Sequence, residues 1–273
     1  MDEPTSVLTP QEVETLFETL RQLSSEGVGI LYISHKLVEI QHLCDDATIL
    51  RSGKVGGQAD PQRESAQSLA TRMFGQDVVR QRQPTIDSVG DTLFALNGLN
   101  VSAPDSFSVA LKDINLSVAA GEILGMAGVA GNGQDELMRV ISGETRVASH
   151  QVQLLNVPVG HQSPGQRRQA GLGCVPEERL GHAAVPAMTL SENAFLTAQH
   201  RLPVKRAGFV SQRRSDQFAH RIIEAFQVQC RNHQSAANSL SGGNLQKFVV
   251  GREILQSPKV LVVAQPTWGV DAG

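Results

Sequence analysis

A glycine-rich loop between an apolar strand and a helix is the feature that most restricts the fold of this chain. Residues 123–127 form an apolar run that predicts a buried strand, and Gly128, Gly131, Asn132 and Gly133 follow in the loop. Glycines let backbone N–H groups converge on a phosphate, and the helix N-terminus adds partial positive charge. The sequence therefore predicts a phosphate-binding loop.

Strands and helices alternate along most of the chain. A β-rich stretch over residues 93–118 precedes the loop, and a helix at 243–256 is followed by a strand at 259–264. Near the front, a helix that begins at Pro10 is followed by a short strand at 29–33. Such alternation favours a mainly parallel sheet covered by helices, so we expect an α/β fold.

Composition restricts the possible partners. The formal net charge of −3 supplies no basic surface, so we expect no nucleic-acid partner. The longest apolar runs, such as residues 260–264, fall far short of the roughly 20 residues that a membrane helix needs. Any membrane role is therefore expected to depend on another subunit. The three cysteines are far apart and lack zinc-site spacing, which indicates isolated thiols.

A short internal repeat relates the two ends of the chain. Asp2-Glu3-Pro4-Thr5 matches Ala264-Gln265-Pro266-Thr267, and Glu3 and Gln265 are 262 residues apart. This offset is about the length of one large domain. We therefore interpret the chain as the end of one repeat followed by most of a second one.

The most specific motif is Leu240-Ser241-Gly242-Gly243, followed by Gln246. It resembles the signature sequence of ATP-binding-cassette (ABC) ATPases, which caps the γ-phosphate of ATP held by the opposite cassette. The resemblance extends over essentially the whole chain. The chain is similar to the energy-coupling subunits of simple-sugar or nucleoside importers, in which two cassettes are fused and the second is commonly degenerate.

The resemblance implies a fold and a division into domains. The fold is a P-loop NTPase (ABC ATPase) core with a mixed, mainly parallel sheet, an antiparallel β subdomain and a helical subdomain. Residues 1–75 are expected to be the C-terminal part of a first nucleotide-binding domain, and residues 76–91 a linker. Residues 92–273 are expected to be a second nucleotide-binding domain, truncated at its C-terminal end.

In the first cassette, the resemblance implies an intact catalytic apparatus. Asp2 matches the carboxylate that organises Mg²⁺, and Glu3 matches the base that polarises the attacking water. His35 matches the switch histidine that reaches the γ-phosphate. A lone histidine after a strand is more often structural, and that alternative remains for His35.

In the second cassette, the resemblance implies a damaged site. Gln134 and Asp135 replace the lysine and the serine or threonine of the phosphate loop, while Ala264 and Gln265 replace a catalytic Asp-Glu pair. Glu177 stands where the family has the glutamine of its Q-loop. We expect a weakened or non-hydrolytic nucleotide site. The alternative is that Asp135 merely stabilises a helix N-terminus.

The resemblance also implies a function. It predicts an ATPase that uses ATP and Mg²⁺ at the cytoplasmic face of the cell (inner) membrane. Its partners would be integral membrane permease subunits and, indirectly, an extracytoplasmic substrate-binding protein. We expect the chain alone to hydrolyse ATP negligibly. Two alternatives remain: a non-hydrolytic nucleotide-binding or docking module, and a non-transport tandem ABC protein.

Overall fold

The computed structural model of the protein describes residues 1–5, 8–51, 53–74, 90–103, 108–129, 131–206 and 208–266. The chain divides into a smaller N-terminal unit, which contains the first five elements of secondary structure, and a larger unit with the later ones. Each unit has its own buried core. Most of the predicted linker, residues 76–91, falls outside the described residues.

The N-terminal unit combines helices with one β-hairpin. In chain order its elements are α1 (Pro10–Ser25), α2 (Leu37–Leu43), β1 (Ala47–Arg51), β2 (Lys54–Ala59) and α3 (Ala66–Phe74). Thr9 caps α1, and its N–H donates to Glu12 Oε2 at 2.8 Å in a capping box. The apolar face of the helix buries Phe17 and Leu20. The predicted start of α1 is confirmed.

The predicted strand at residues 29–33 is not a regular strand. It forms a single parallel bridge, between Asp2 and Ile33, and Leu31 is 75% exposed. A strand requires a neighbour that exchanges hydrogen bonds along its length, and within the described part of the chain the bonded neighbour comprises Met1 to Glu3. The prediction of a regular strand is therefore wrong, although the parallel pairing at its end is present.

The larger unit begins with strands and continues with alternating helices and strands. Its elements are β3 (Thr92–Val101), β4 (Leu111–Ala119), α4 (Gln134–Ser142), β5 (Val152–Leu154), β6 (Val157–Pro158), α5 (Pro164–Ala170), β7 (Leu172–Val175), α6 (Leu190–Ala198), β8 (Lys205–Arg206), β9 (Phe209–Val210), α7 (Gln212–Ala225), α8 (Gly242–Ile254) and β10 (Val260–Val263). Short 3₁₀ turns occupy Ser149–Gln151 and Ala237–Ser239.

An antiparallel sheet forms one part of the larger unit, with the strand order β4-β3-β5-β6. In its centre Phe94 of β3 lies opposite Val118 of β4 on one side and Leu154 of β5 on the other. Val140 and Ile141 of α4 belong to the same buried apolar cluster as these strands. This part is the antiparallel β subdomain that the resemblance implied.

Helices α6, α7 and α8 share a second core in the larger unit. Leu190 and Ala194 of α6, Ile222 of α7 and Phe248 of α8 are fully buried in one cluster. This part is the helical subdomain that the resemblance implied. None of the helices in the described ranges is long and apolar enough to cross a membrane.

The parallel part of the sheet is smaller than expected. Among the described strands it comprises β7 and β10, with Leu172 opposite Val260. The predicted strand at residues 123–127 is not formed, and Ile123 is 92% exposed. Its apolar pattern suits a buried strand, but no strand in the described ranges pairs with it. That prediction is therefore wrong.

A fully buried arginine closes the C-terminal end of α4. Arg167 donates to the carbonyl oxygens of Val140, Ile141 and Gly160, the last two at 2.9 and 3.0 Å. A cation is favourable there because it meets the negative end of the helix dipole. Arg167 therefore fixes the end of α4 that lies farthest from the glycine-rich loop.

Candidate functional site

Two parallel segments of the N-terminal unit lead to Glu3 and His35. The N–H of Ile33 donates to the carbonyl oxygen of Met1, and the N–H of Glu3 donates to that of Ile33, both at 2.9 Å. The ends of the segments therefore lie side by side, and Glu3 Oε1 contacts His35 Nδ1. The two side chains are 35% and 31% exposed, so a ligand in solvent can reach them. The structure thus brings together both predicted catalytic residues.

The backbone of Glu3 is unusual, with φ at +41°. This left-handed conformation costs a non-glycine residue about 1–2 kcal/mol, and such strain is concentrated at functional sites. Pro4 follows directly, so the chain turns sharply after the carboxylate. The strained turn sets the direction in which Glu3 leaves the segment.

Asp2, the predicted Mg²⁺ ligand, is exposed. Within the described ranges, no group of three or more acidic, histidine or cysteine side chains could hold a metal ion. Mg²⁺ keeps several waters and is usually bound by one or two carboxylates together with substrate phosphates. The carboxylate of Asp2 beside Glu3 fits that shared role, whereas it does not fit a closed protein cage.

The glycine-rich loop of the larger unit is closed by the side chain of Gln134. Its Oε1 accepts the N–H of Asn132 at 3.1 Å, and its Nε2 donates to the carbonyl oxygen of Val129 at 3.0 Å. A Cβ on Gly128 would lie 2.5 Å from this Nε2 and would displace the amide. Gln134 therefore occupies a backbone donor that a phosphate would use, and it adds no positive charge.

The rest of the loop combines a suitable backbone with negative side chains. Gly131 and Gly133 have φ angles of +84° and +100°, which favour glycine. Asp135 is exposed in the first turn of α4, while the Oε1 of Glu136 accepts the N–H of Val109 at 3.0 Å. An anion at this helix N-terminus would therefore meet nearby carboxylates in place of a lysine.

Helix α8 begins at the predicted signature. Ser241 is the N-cap, and its Oγ accepts the N–H of Asn244 at 3.4 Å and the side-chain amide of the same residue at 2.9 Å. Gly242 and Gly243 form the first turn, where backbone N–H groups have no partner within the helix. Leu240 packs against the core of the three helices. This backbone is suited to binding an anion.

Two other side chains connect the signature to the larger unit. The Nη1 of Arg179 lies 2.5 Å from the position that a Cβ on Gly242 would take. Gln246, which is 2% exposed, donates from Nε2 to the carbonyl oxygen of Pro266 at 3.3 Å. The signature is therefore linked both to the segment after β7 and to the turn after β10.

The segment after β7 forms a tight turn with an exposed acidic residue. The N–H of Ala184 donates to the carbonyl oxygen of Arg179 at 2.8 Å, and Ala183 donates to that of Glu178 at 3.0 Å. Both alanines are buried in the core of the three helices. Glu177, the residue at the predicted Q-loop position, is exposed at the start of this anchored turn.

The second copy of the repeat follows β10. The N–H of Ala264 donates to the carbonyl oxygen of Val175 at 2.9 Å, and Gln265 has φ at +45°. A methyl group cannot bind a metal, and an amide is no base at neutral pH. The repeat therefore has a similar left-handed turn in both copies, while the carboxylates are present only in the first.

Sequence reasoning did not identify two contacts near these sites. Glu39 in α2 accepts hydrogen bonds from Thr5, which is 34 residues earlier. No local spacing signals a contact over that distance. Arg179 belongs to a tetrapeptide that the sequence singles out, but nothing in the spacing indicates that it lies against Gly242.

Comparison with known sequences gives a family match and relatives that align with the whole length of this chain. The profile of the ABC transporter family matches residues 111–268. The chain is 36% identical, over its whole length, to the nucleoside import ATP-binding protein NupA of Lactococcus lactis subsp. cremoris, and covers 54% of that protein. It is 35% identical to the ribose import ATP-binding protein RbsA 1 of Rubrobacter xylanophilus, of which it covers 53%. The chain thus spans about half the length of these curated relatives.

Comparison with solved structures shows the fold. The dimeric post-hydrolysis structure of the ATP-binding cassette MJ0796 with ADP and Pi matches 66% of this chain and 77% of that chain. The TM-score is 0.55 and the sequence identity 21%, so the likeness establishes the fold of a P-loop NTPase cassette. Because the family profile also matches more than half of its residues, the chain belongs to the ABC transporter family.

Proposed function

We propose that the protein is the ATP-binding and ATP-hydrolysing energy-coupling subunit of an ABC importer for simple sugars or nucleosides. The observation that carries the proposal is the contact between Glu3 and His35 at the ends of two neighbouring parallel segments, next to Asp2. Relatives named for nucleoside and ribose import support the substrate class.

Glu3 and His35 can act together on a nucleotide phosphate. Glu3 is placed to accept a hydrogen bond from a water molecule and to polarise it for attack on the γ-phosphate. His35 contacts Glu3 through Nδ1, so its Nε2 is the ring nitrogen left to face a phosphate oxygen, to which it donates when both ring nitrogens carry a proton. Asp2, together with the phosphates, would hold Mg²⁺, which neutralises negative charge on the transferred group.

The larger unit has a different role in this proposal. Its loop carries Gln134 and Asp135, and its second repeat carries Ala264 and Gln265, so it contributes no catalytic base or Mg²⁺ carboxylate. Its signature offers backbone N–H groups to a phosphate. Glu177, exposed on the anchored turn after β7, belongs to the region that would transmit motion to membrane permease subunits.

The proposal also includes a location and partners. The protein would bind peripherally to permease subunits at the cytoplasmic face of the cell (inner) membrane. It would serve an extracytoplasmic substrate-binding protein indirectly. No nucleic-acid partner is proposed, because the formal net charge is −3.

Uptake by cells tests the function. We expect deletion of the gene to abolish uptake of at least one of labelled ribose, galactose and guanosine. Wild type and Glu18→Gln, which alters an exposed residue of α1, should restore it, and Glu3→Gln should not. Unchanged uptake of all three compounds after deletion would contradict the proposed substrate class.

A non-hydrolytic nucleotide-binding or docking module is the second candidate. The closure of the loop by Gln134 favours it, because an occupied backbone donor weakens phosphate binding. This function predicts that ATP binds without turnover and that Glu3→Gln restores uptake as well as wild type does. The same complementation experiment therefore separates the two candidates.

A further inference from the structure

A single carboxylate in the N-terminal unit collects hydrogen bonds from several parts of the chain. Glu39, in the first turn of α2, is 12% exposed. Thr5 donates from Oγ1 to its two oxygens at 2.8 and 2.7 Å, and the Tyr32 hydroxyl donates at 2.7 Å. Lys36 Nζ lies 3.0 Å away, and Ser34 Oγ is at 3.5 Å. These contacts use most of the accepting capacity of one carboxylate.

The partners of Glu39 lie next to the two residues proposed to act on ATP. Thr5 is two residues after Glu3, while Ser34 and Lys36 stand on either side of His35. Lys36 Nζ also donates to the carbonyl oxygen of Thr5 at 3.1 Å. Glu39 therefore ties together the two segment ends on which Glu3 and His35 lie.

We propose that Glu39 is a positioning residue that sets the contact between Glu3 and His35. This inference rests on the proposed function, in which that pair acts on the γ-phosphate. Glu39 acts through Thr5, Ser34 and Lys36 and so holds the backbone on both sides of the pair. A catalytic residue, in contrast, would touch the substrate.

The position of Glu39 explains how one side chain controls this geometry. Thr5 is 1% exposed, so its hydroxyl has a fixed partner in the interior. Burial opposes ionisation of Glu39, but the hydrogen bonds from Tyr32, Thr5 and Lys36 outweigh it and hold the pKa of the carboxyl below its usual value. The carboxylate is therefore charged at neutral pH and holds all of its donors at once.

The protonation pattern of the His35 ring provides a direct readout. Contact with a carboxylate requires a proton on Nδ1, whereas a ring without that contact is free to exchange tautomers. Nitrogen-15 NMR of the full chain at pH 8, with His35 assigned by a His35→Gln variant, reports the fraction protonated at Nδ1. We expect a high Nδ1–H fraction in the wild type and its loss in Glu3→Ala, which removes the acceptor.

Variants of Glu39 and Thr5 test the positioning role. We expect Glu39→Gln and Thr5→Val to lower the Nδ1–H fraction at least twofold. Thr5→Ser, which keeps the hydroxyl, should retain it, and so should Glu18→Gln, which removes a charge from the exposed side of α1. The pair Thr5→Val and Thr5→Ser keeps the test valid if Glu39→Gln does not fold.

Two results would overturn the inference in distinguishable ways. If Glu3→Ala abolishes the signal but Glu39→Gln and Thr5→Val both retain it, Glu39 does not position the pair and the proposed function stands. If the wild type has no Nδ1–H signal and Glu3→Ala changes nothing, the pair itself is absent. The inference and the basis of the proposed function would then fail together.

Discussion

The two copies of the internal repeat have similar backbones and opposite chemistry. Glu3 and Gln265 have φ angles of +41° and +45°, and a proline follows each of them. Asp2 and Glu3 provide two carboxylates, whereas Ala264 and Gln265 provide none. A left-handed conformation costs a non-glycine residue about 1–2 kcal/mol. Its presence at Gln265 therefore needs an explanation other than catalysis.

Local hydrogen bonds give that explanation. After β10, the N–H of Ala264 donates to Val175 and the carbonyl oxygen of Pro266 accepts from Gln246. In the N-terminal unit, the corresponding turn is followed by Thr5, which Glu39 holds. Each turn is thus maintained by its own unit. The comparison shows that local contacts maintain similar backbone turns in the two copies, whether or not carboxylates are present.

The largest expected effect is the loss of activity when the carboxylate of the first copy is removed. Glu3→Gln should lower the initial rate of ATP-dependent uptake by about 100-fold or more, because a general base contributes about 10²–10⁴-fold. Gln265→Ala should change the rate less than about twofold, because a general base is absent there already. Initial rates in complemented cells, corrected for the amount of protein, measure both. Equal effects of Glu3→Gln and Gln265→Ala on the rate of uptake would contradict the chemical difference between the two copies.

A second prediction concerns the helix that follows the glycine-rich loop in the larger unit. Arg167→Met leaves the carbonyl oxygens of Val140, Ile141 and Gly160 without their buried donor. We expect the free energy of unfolding of the larger unit to fall by about 2–4 kcal/mol.

Denaturant unfolding followed by circular dichroism measures this change. Arg139→Met, at an exposed position of the same helix, is the matched control and should have an effect within about 0.5 kcal/mol. Equal destabilisation by the two variants would show that the buried arginine does not maintain the loop scaffold.

Much of the local structure could be predicted from the sequence. Thr9 and Glu12 specify the start of α1, and Ser241 specifies that of α8, because caps act within a few residues. The strands expected at 29–33 and 123–127 are not formed. Strand formation depends on a partner that is distant in sequence, which an apolar pattern cannot supply.

The candidate site, like the local structure, could be predicted only in part from the sequence. The meeting of Glu3 and His35 follows from two parallel segments that end at the same edge. The folding of Gln134 over its loop depends on a rotamer, and the contacts of Glu39 join residues that are far apart in the chain. Neither has a signal in residue spacing.

A third prediction adds positive charge to the glycine-rich loop and so sharpens the comparison. Gln134→Lys combined with Asp135→Ser should raise the affinity for ATP by about tenfold. The change adds a cation and removes a repulsion of about 1–4 kcal/mol, and 1.4 kcal/mol corresponds to a factor of ten. Titration with a fluorescent ATP analogue measures it. Gln169→Lys, at an exposed position of α5, adds one positive charge elsewhere and should leave the affinity unchanged.

The smallest expected effect is a pH dependence confined to the N-terminal unit. The pKa of Glu39 is held below its usual value of 4.5 by hydrogen bonds from Tyr32, Thr5 and Lys36, which outweigh the effect of burial. A carboxyl with a lowered pKa in the folded state stabilises the fold fully at pH values above the pKa that it has in the unfolded state. This stability is lost as the pH falls through the pKa that the carboxyl has in the folded state.

The packing around Tyr32 should therefore loosen as the pH falls below about 4.5, and Glu39→Gln should remove this dependence while Glu18→Gln keeps it. Tyr32 is the one tyrosine of the chain, so its ring resonances report this region without overlap. Because the turn at Gln265 is held by Val175 and Gln246, which do not titrate, amide signals at the second copy should not follow the same transition. A shared transition at both copies would mean that acid unfolds the protein as a whole, and the two turns would not be maintained independently.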